Sequence, residues 1–345
     1  EDFEFESQTS NVYKSEEKLA LFDNAEIFFS DKKYFESIEC FLRFLENGAK
    51  SNIQINKNSG ILEFSILQGS QCIKGTVDYK TLRAESKLAR SDNFHLGYMR
   101  RLLEVNYDLE FGRIGIDKDN FLTAVMDAFL MDSPPSKLYI ALREIALLAD
   151  LQDDLLVGEF LDLQGPEVPN KFKIPEPVAK GQVNYYRKWI NDSLLFVDTH
   201  YSKQDIQAGP ISYILLSTLF KIEKLIMPKG FIQHSIRKAH SSFFTKDQSD
   251  TVEKNYALHK KLKMLNNLSD QEINRELYRA AYTFSEKNPI DFQIFNSFLD
   301  SEIGNLEYYY SQSPGELVFY VADYIIGSLQ YNYAFPPLLD KLFYL

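Results

Sequence analysis

IQINKNSGILEFSILQGSQCIKGTVDY, residues 53–79, is where the chain changes from a helical to a two-residue period. Ile53 and Ile55 alternate with polar residues, Ile61-Leu62-Glu63-Phe64-Ser65-Ile66 does the same, and Cys72 to Tyr79 follows as a third run. Alternation of this kind sends one set of side chains to a core and the other to water, which is the pattern of a half-buried strand. Asn58-Ser59-Gly60 has hairpin chemistry, because asparagine and glycine accept the positive φ angles of a tight turn, and Gln68-Gly69-Ser70 supplies a second turn. Strands joined by turns this short run antiparallel.

Working outward, Lys14–Ser30 and Lys32–Glu46 have helical spacing. In the second, Phe35, Ile38, Cys40, Phe41, Leu42, Phe44 and Leu45 make a wide apolar face, and Gly48 marks a stop. Downstream, the pattern predicts a helix over Asn93–Asp108, a strand over Arg113–Ile116, a turn at Asp117–Asn120 and a strand over Phe121–Leu130. After Ser133-Pro134-Pro135, Ser136 caps a long helix reaching Phe160. The order is helix, three strands, helix, two strands, helix, preceded by an extra helix. This is an α+β antiparallel sheet module rather than a doubly wound one.

The strongest boundary is QGPEVPNKFKIPEPVAKGQ, Gln164–Gln182, which holds Pro166, Pro169, Pro175 and Pro177. Proline fixes φ and removes a donor, so the stretch predicts an extended linker. It divides the chain into an acidic α+β domain over 1–163, a linker over 164–182 and an all-helical domain over 183–345. In the last, helices are expected near Val183–Thr199, Ile211–Met227, Gly230–Phe244, Asp250–Asn266, Asp270–Lys287, Pro289–Tyr310 and Pro314–Tyr333, with a short one from Pro336. Ser269-Asp270-Gln271-Glu272 and Ser313-Pro314-Gly315-Glu316 read as capped starts. The short connections fit a bundle or helical array.

At 345 residues, 45% of them apolar, the chain can support two cores. Charge is unevenly shared: residues 1–165 carry 18 Lys and Arg against 29 Asp and Glu, whereas the remainder carries 20 of each. Phosphate-backbone affinity comes from clustered cations, so this balance points away from nucleic acid and towards a protein or peptide partner, a basic one for the first half. The apolar runs are too short for a membrane span. Cys40 and Cys72 lack CxxC spacing and a disulfide framework, which suggests a cytoplasmic protein.

Two segments carry a family resemblance. LLEVNYDLEFGRIGIDKDNFLTAVMDAFL (Leu102–Leu130) and LYIALREIALLADLQDDLLVGEF (Leu138–Phe160) give residues 30–162 the element order of the type III secretion chaperone-like fold, which resembles this chain together with its YbjN-type relatives. The resemblance implies no catalytic residues or cofactor; it implies binding of another protein, and a homodimer. The helical half is no part of it. Ala25, Phe28, Tyr34, Ser37 and Phe41 also match the spacing of one tetratricopeptide repeat, but without a second copy they read as an ordinary helical hairpin.

The sequence carries no recognisable catalytic constellation. HExxH and paired histidines are absent among His95, His200, His234, His240 and His259, and Asp198 and His200 lie two apart, pointing to different sides of a helix. Asp117-Lys118-Asp119-Asn120 begins like a calcium loop but has Leu122 and Ala128 where glycine and glutamate are needed. Gly112-Arg113-Ile114-Gly115 has the spacing of an RNA-clamping loop but leads into a strand. Glu16-Glu17 and Asp153-Asp154 read as solvated faces, because adjacent side chains on a helix diverge. Phe94, Tyr98, Leu102 and Leu103 on one helix, with Tyr308, Tyr309 and Tyr310 on another, are the candidate protein-contact residues, being aromatic or apolar anchors. The expected function is a non-enzymatic protein-binding or chaperone-like module. The alternative is an enzyme with a site in a cleft between the two modules.

Overall fold

The computed structural model describes residues 12–47, 52–90, 96–159, 163–165, 171–200, 208–312, 315 and 317–342. Phe94, His95, Gly48, Pro166, Pro169 and the Ser313-Pro314 helix start fall outside them. The chain forms two units. One is α+β and comprises Asn11–Phe172 together with Arg279–Glu286; the other is helical, over Lys173–Tyr278 and Lys287–Leu345.

The α+β unit opens on a helical hairpin, α1 (Glu16–Ser30) and α2 (Tyr34–Leu45). Ser15 caps α1 by accepting from Lys18 N. Ser37 Oγ donates to the Ala25 carbonyl across the hairpin (2.8 Å), so the two small residues set its close approach. The strands are β1 (Ile53–Asn58), β2 (Ile61–Gly69), β3 (Gln71–Val77), β4 (Thr81–Arg90), β5 (Arg113–Ile116) and β6 (Phe121–Phe129). They pair antiparallel in the order β1-β2-β3-β4-β6-β5. Two helices, α3 (Leu96–Tyr107) and α4 (Pro135–Glu159), complete the order.

The antiparallel α+β expectation is met, with one strand more than the sequence suggested before α3. β4 (TLRAESKLAR) is masked in the sequence because its inward positions are Leu82, Ala84, Ser86 and Leu88, of which two are small or polar. Its outward residues are charged: Arg83 pairs with Asp127 and Glu85, and Asp127 also takes Arg113. Inward residues of the sheet pack with α2 and α4 into one core containing Phe41, Leu42, Leu62, Ile66, Ile73, Leu142 and Ile145. Gly75 faces Phe64 directly in the register, and a Cβ there would sit 2.0 Å from the ring. Asn106 protects the β5 edge by bonding both the N–H and the C=O of Ile114 (2.6 and 3.0 Å).

The helical unit holds α5 (Glu176–His200), α6 (Ala208–Lys221), α7 (Gly230–Phe244), α8 (Thr251–Asn266), α9 (Asp270–Arg275), α10 (Phe292–Gln312), α11 (Leu317–Asn332) and α12 (Pro337–Leu342). A π-helical turn, Ile222–Ile226, extends α6 and ends at Met227 with φ 54°. The core gathers Tyr186, Ile190, Leu215, Leu219, Phe220, Leu262, Leu265 and Val321. Gly327 lets α11 approach α6, since a Cβ would lie 2.6 Å from Phe220 Cβ.

Three boundaries differ from expectation. α5 begins at Glu176 rather than 183, because proline in a first turn forfeits only a donor that has no helical partner. Gln164 belongs to the α+β unit, where it exchanges both main-chain bonds with Arg90 (2.7 and 3.0 Å). The helix expected over Asp270–Lys287 stops at Arg275, and the domain over 183–345 is not wholly helical. A short parallel ladder joins Asn288–Pro289 to Tyr333–Ala334, and residues 279–286 belong to the other unit.

Candidate functional site

The eight residues Arg279–Glu286, RAAYTFSE, reach the α+β unit from a position more than a hundred residues beyond the rest of it. Their seat is built from β2, α4 and two asparagines, Asn47 and Asn52, that lie between α2 and β1. At the end of β2, Gln68 and Gly69 project past the start of β1, whose Ile53 pairs with Ile66. Ala281–Tyr282 fills that place as an antiparallel strand, with Gln68 opposite Tyr282 and Gly69 opposite Ala281. The seated strand thus continues the edge that β1 leaves short.

The side chains lining the seat read mostly main chain. Gln68 is 1% exposed, and its carboxamide behaves as a peptide group turned sideways. Its Oε1 accepts from Thr283 N (3.1 Å) and Phe284 N (2.9 Å), while Nε2 donates to Phe284 O (3.3 Å). Asn47 Nδ2 donates to Tyr282 O (3.1 Å). Arg143, on α4, donates through Nε to Ser285 O (2.9 Å) and through Nη2 to Glu286 O (3.1 Å).

Two side chains of the segment are also read. Thr283 Oγ1 accepts from Asn52 Nδ2 (2.6 Å) and donates to Leu67 O (2.7 Å). Phe284 is buried in the α+β core, edge-on to Tyr139 with ring centroids 5.5 Å apart, and Tyr139 in turn packs against Phe44. Tyr139 and Arg143 lie four apart on α4, hence on one face. Burial of a phenyl ring contributes about 2–3 kcal/mol, and each hydrogen bond adds about 1 kcal/mol net.

The helical spacing of Asp270–Lys287 predicts a helix across this segment, and the structure has none beyond Arg275. The overlooked signal is the Tyr282-Thr283-Phe284 run of aromatic and β-branched residues, which favours a strand. Their partners in the α+β unit lie too far away in sequence to be foreseen.

The anticipated contact residues divide. Tyr98 and Leu102 are core residues, which corrects their assignment to a contact surface: their helix turns that face onto the sheet. Leu103 is 67% exposed and shares an outward stripe with Leu96 and Tyr107. In the run of three tyrosines, Tyr308 and Tyr310 are exposed, whereas Tyr309 packs edge-on against Tyr213 at 5.7 Å. Tyr213 donates to Glu302 Oε2 (2.7 Å), and burial beside that carboxylate pushes its phenol far up.

The other motifs are engaged in structural bonds. Glu144 accepts from the N–H groups of Glu110, Phe111 and Gly112 (2.7–2.9 Å), so a carboxylate already holds the Gly112 amide that a phosphate would need. Asp117 Oδ1 accepts from Asp119 N and Phe121 N, and the Lys87 ammonium lies 3.1 Å from Asp117 Oδ2, as befits a hairpin turn. Asp198 lies 3.3 Å from His259 Nε2; burial and the nearby Lys263 hold that imidazole below its ordinary value. Both thiols are half-buried, and burial pushes them up. Among the described residues, no three His, Cys, Asp or Glu side chains gather as a metal site, and no helix is long and apolar enough to cross a membrane. No family model and no curated protein matches the chain.

Proposed function

We propose that the protein is a non-enzymatic, chaperone-like binding module whose α+β unit takes up extended segments of partner proteins. The observation that carries this reading is the seat of residues 281–286. Ala281–Tyr282, remote in sequence, is held as an added strand, and the main-chain groups of Tyr282 and of the bend after it are bonded by Asn47, Gln68 and Arg143. Strand addition to a sheet edge is a recurrent way to bind peptides: main-chain bonds supply affinity, and pockets for individual side chains supply specificity. The net negative charge of the first half favours partners whose flanking residues are basic.

The test is selection from a random peptide library against the immobilised full-length Phe284→Ala chain. Enriched peptides are expected to be strand-forming and to lose binding when Gln68→Leu is added. A correctly folded variant that enriches no peptide refutes the reading.

A further inference from the structure

Residues 281–286 differ from an ordinary core strand in how they are held. Six main-chain groups of the segment bond side chains of the unit: Tyr282 O, Thr283 N, Phe284 N, Phe284 O, Ser285 O and Glu286 O. Two adjacent side chains, the Thr283 hydroxyl and the phenyl ring after it, are buried in the unit. The ladder bonds cover just two residues. A receptor that reads main chain plus two adjacent side chains recognises a short motif rather than this one position in this one chain.

We propose that the seat is specific for segments in which a short strand is followed by threonine or serine and then phenylalanine in a bend, and that residues 281–286 are a built-in competitor that partner segments displace. The inference rests on the protein-binding reading above and adds its ligand class and its regulation. Serine fits the first position because the Asn52 and Leu67 bonds need only a hydroxyl. An ammonium in place of the ring would be buried against Tyr139, near the like charge of Arg143. A competitor tethered in the same chain acts at an effective concentration of about millimolar, so a partner meets a threshold rather than an open site. Either a stronger motif or a second point of attachment to the protein overcomes it.

The experiment uses the full chain and a labelled synthetic peptide spanning residues 279–287, RAAYTFSEK. Removing the Phe284 ring from the tethered copy weakens self-occupancy by about 100- to 1000-fold, the equivalent of a buried phenylalanine. The Phe284→Ala chain is therefore expected to bind the peptide at least tenfold more tightly than wild type, and to ignore the same peptide with alanine at the Phe284 position. Where Phe284→Ala does not fold, Thr283→Val keeps the shape of the segment and gives the same ranking with a smaller ratio. On wild type, saturating peptide should speed hydrogen exchange at the Thr283 and Phe284 amides of the chain.

Equal binding to wild type and variant, or binding that tolerates loss of the phenylalanine, places the peptide elsewhere and overturns the proposal. So does absence of binding to a folded variant. If library selection still enriches other strands, that last result leaves the protein-binding reading standing; if selection also fails, both fall.

Discussion

Gln68→Leu gives the most direct measure of how the inserted segment is held. Leucine keeps the volume and apolar stem of the buried glutamine and removes its carboxamide. Two N–H groups, Thr283 N and Phe284 N, lose their shared acceptor, and Phe284 O loses a donor. A buried group left without its partner costs about 1–3 kcal/mol. The three share one side chain and relax together, so the sum is not additive. We expect a net loss of about 2–4 kcal/mol in the local stability of residues 279–286, or amide exchange about 30- to 1000-fold faster. Native-state hydrogen exchange read by mass spectrometry on fragments covering 279–287 measures this. Gln71→Leu is the control: it removes a buried carboxamide in the same sheet, whose Oε1 accepts from Ser86 Oγ. Fluorescence of Trp189, which lies in the helical unit, should be unchanged in both variants. Unchanged protection of 279–287 in a folded Gln68→Leu chain, or equal loss in the control, would refute the idea that this carboxamide anchors the segment.

Further outcomes follow from the same structure. Gly69→Ala places a Cβ 1.5 Å from Asp150 Oδ1 at φ +54°, and should cost about 2–4 kcal/mol in chemical denaturation; Gly60→Ala, at φ +86° in open space, should cost only about 1 kcal/mol. Equal losses would show that displacement of Asp150 contributes nothing. His240 stacks among Phe220, Phe244 and Tyr331, and burial pushes its imidazole down from 6.5 to about 4, so it is neutral in the folded chain. The unfolded chain takes up a proton first, so stability is full above pH 6.5 and is lost as the pH falls towards 4. Because His240 is only half-buried, the effect should be about 1–2 kcal/mol after solvent screening, and the difference between wild type and His240→Gln in acid titrations followed by Trp189 fluorescence should reveal it. Glu144→Ala strips the acceptor from three N–H groups at 110–112, and thermal unfolding followed by circular dichroism should show a loss of about 2–4 kcal/mol; a loss below 1 kcal/mol would mean water replaces the carboxylate.

The two carboxamide clamps show where the reading of sequence stops. Asn106 is eight residues from Ile114, yet nothing in the amino-acid order says that the amide spans the edge of β5. Gln68 sits in a run recognised as a turn, and its partners lie more than two hundred residues away. β4 was missed for a different reason: its inward Ala84 and Ser86 blur the alternation, and only pairing with β3 and β6 makes it a strand. Tyr98 and Leu102 looked like interface anchors because a helix presents apolar residues in the same way to a sheet and to a partner.

Local period and turn chemistry determined the hairpins of 53–79, the helical hairpin before them and the helices between Val183 and Arg275, since spacing within ten residues fixes which side chains share a face. Only the tertiary structure decided that residues 279–286 leave the helical unit to complete an edge of the α+β sheet. The physical reason is that an extended segment gains its hydrogen bonds from a neighbour rather than from itself. Ala281-Tyr282 becomes a strand, and Thr283-Phe284 the bend after it, only where β2, Gln68 and the Tyr139 ring are already in place.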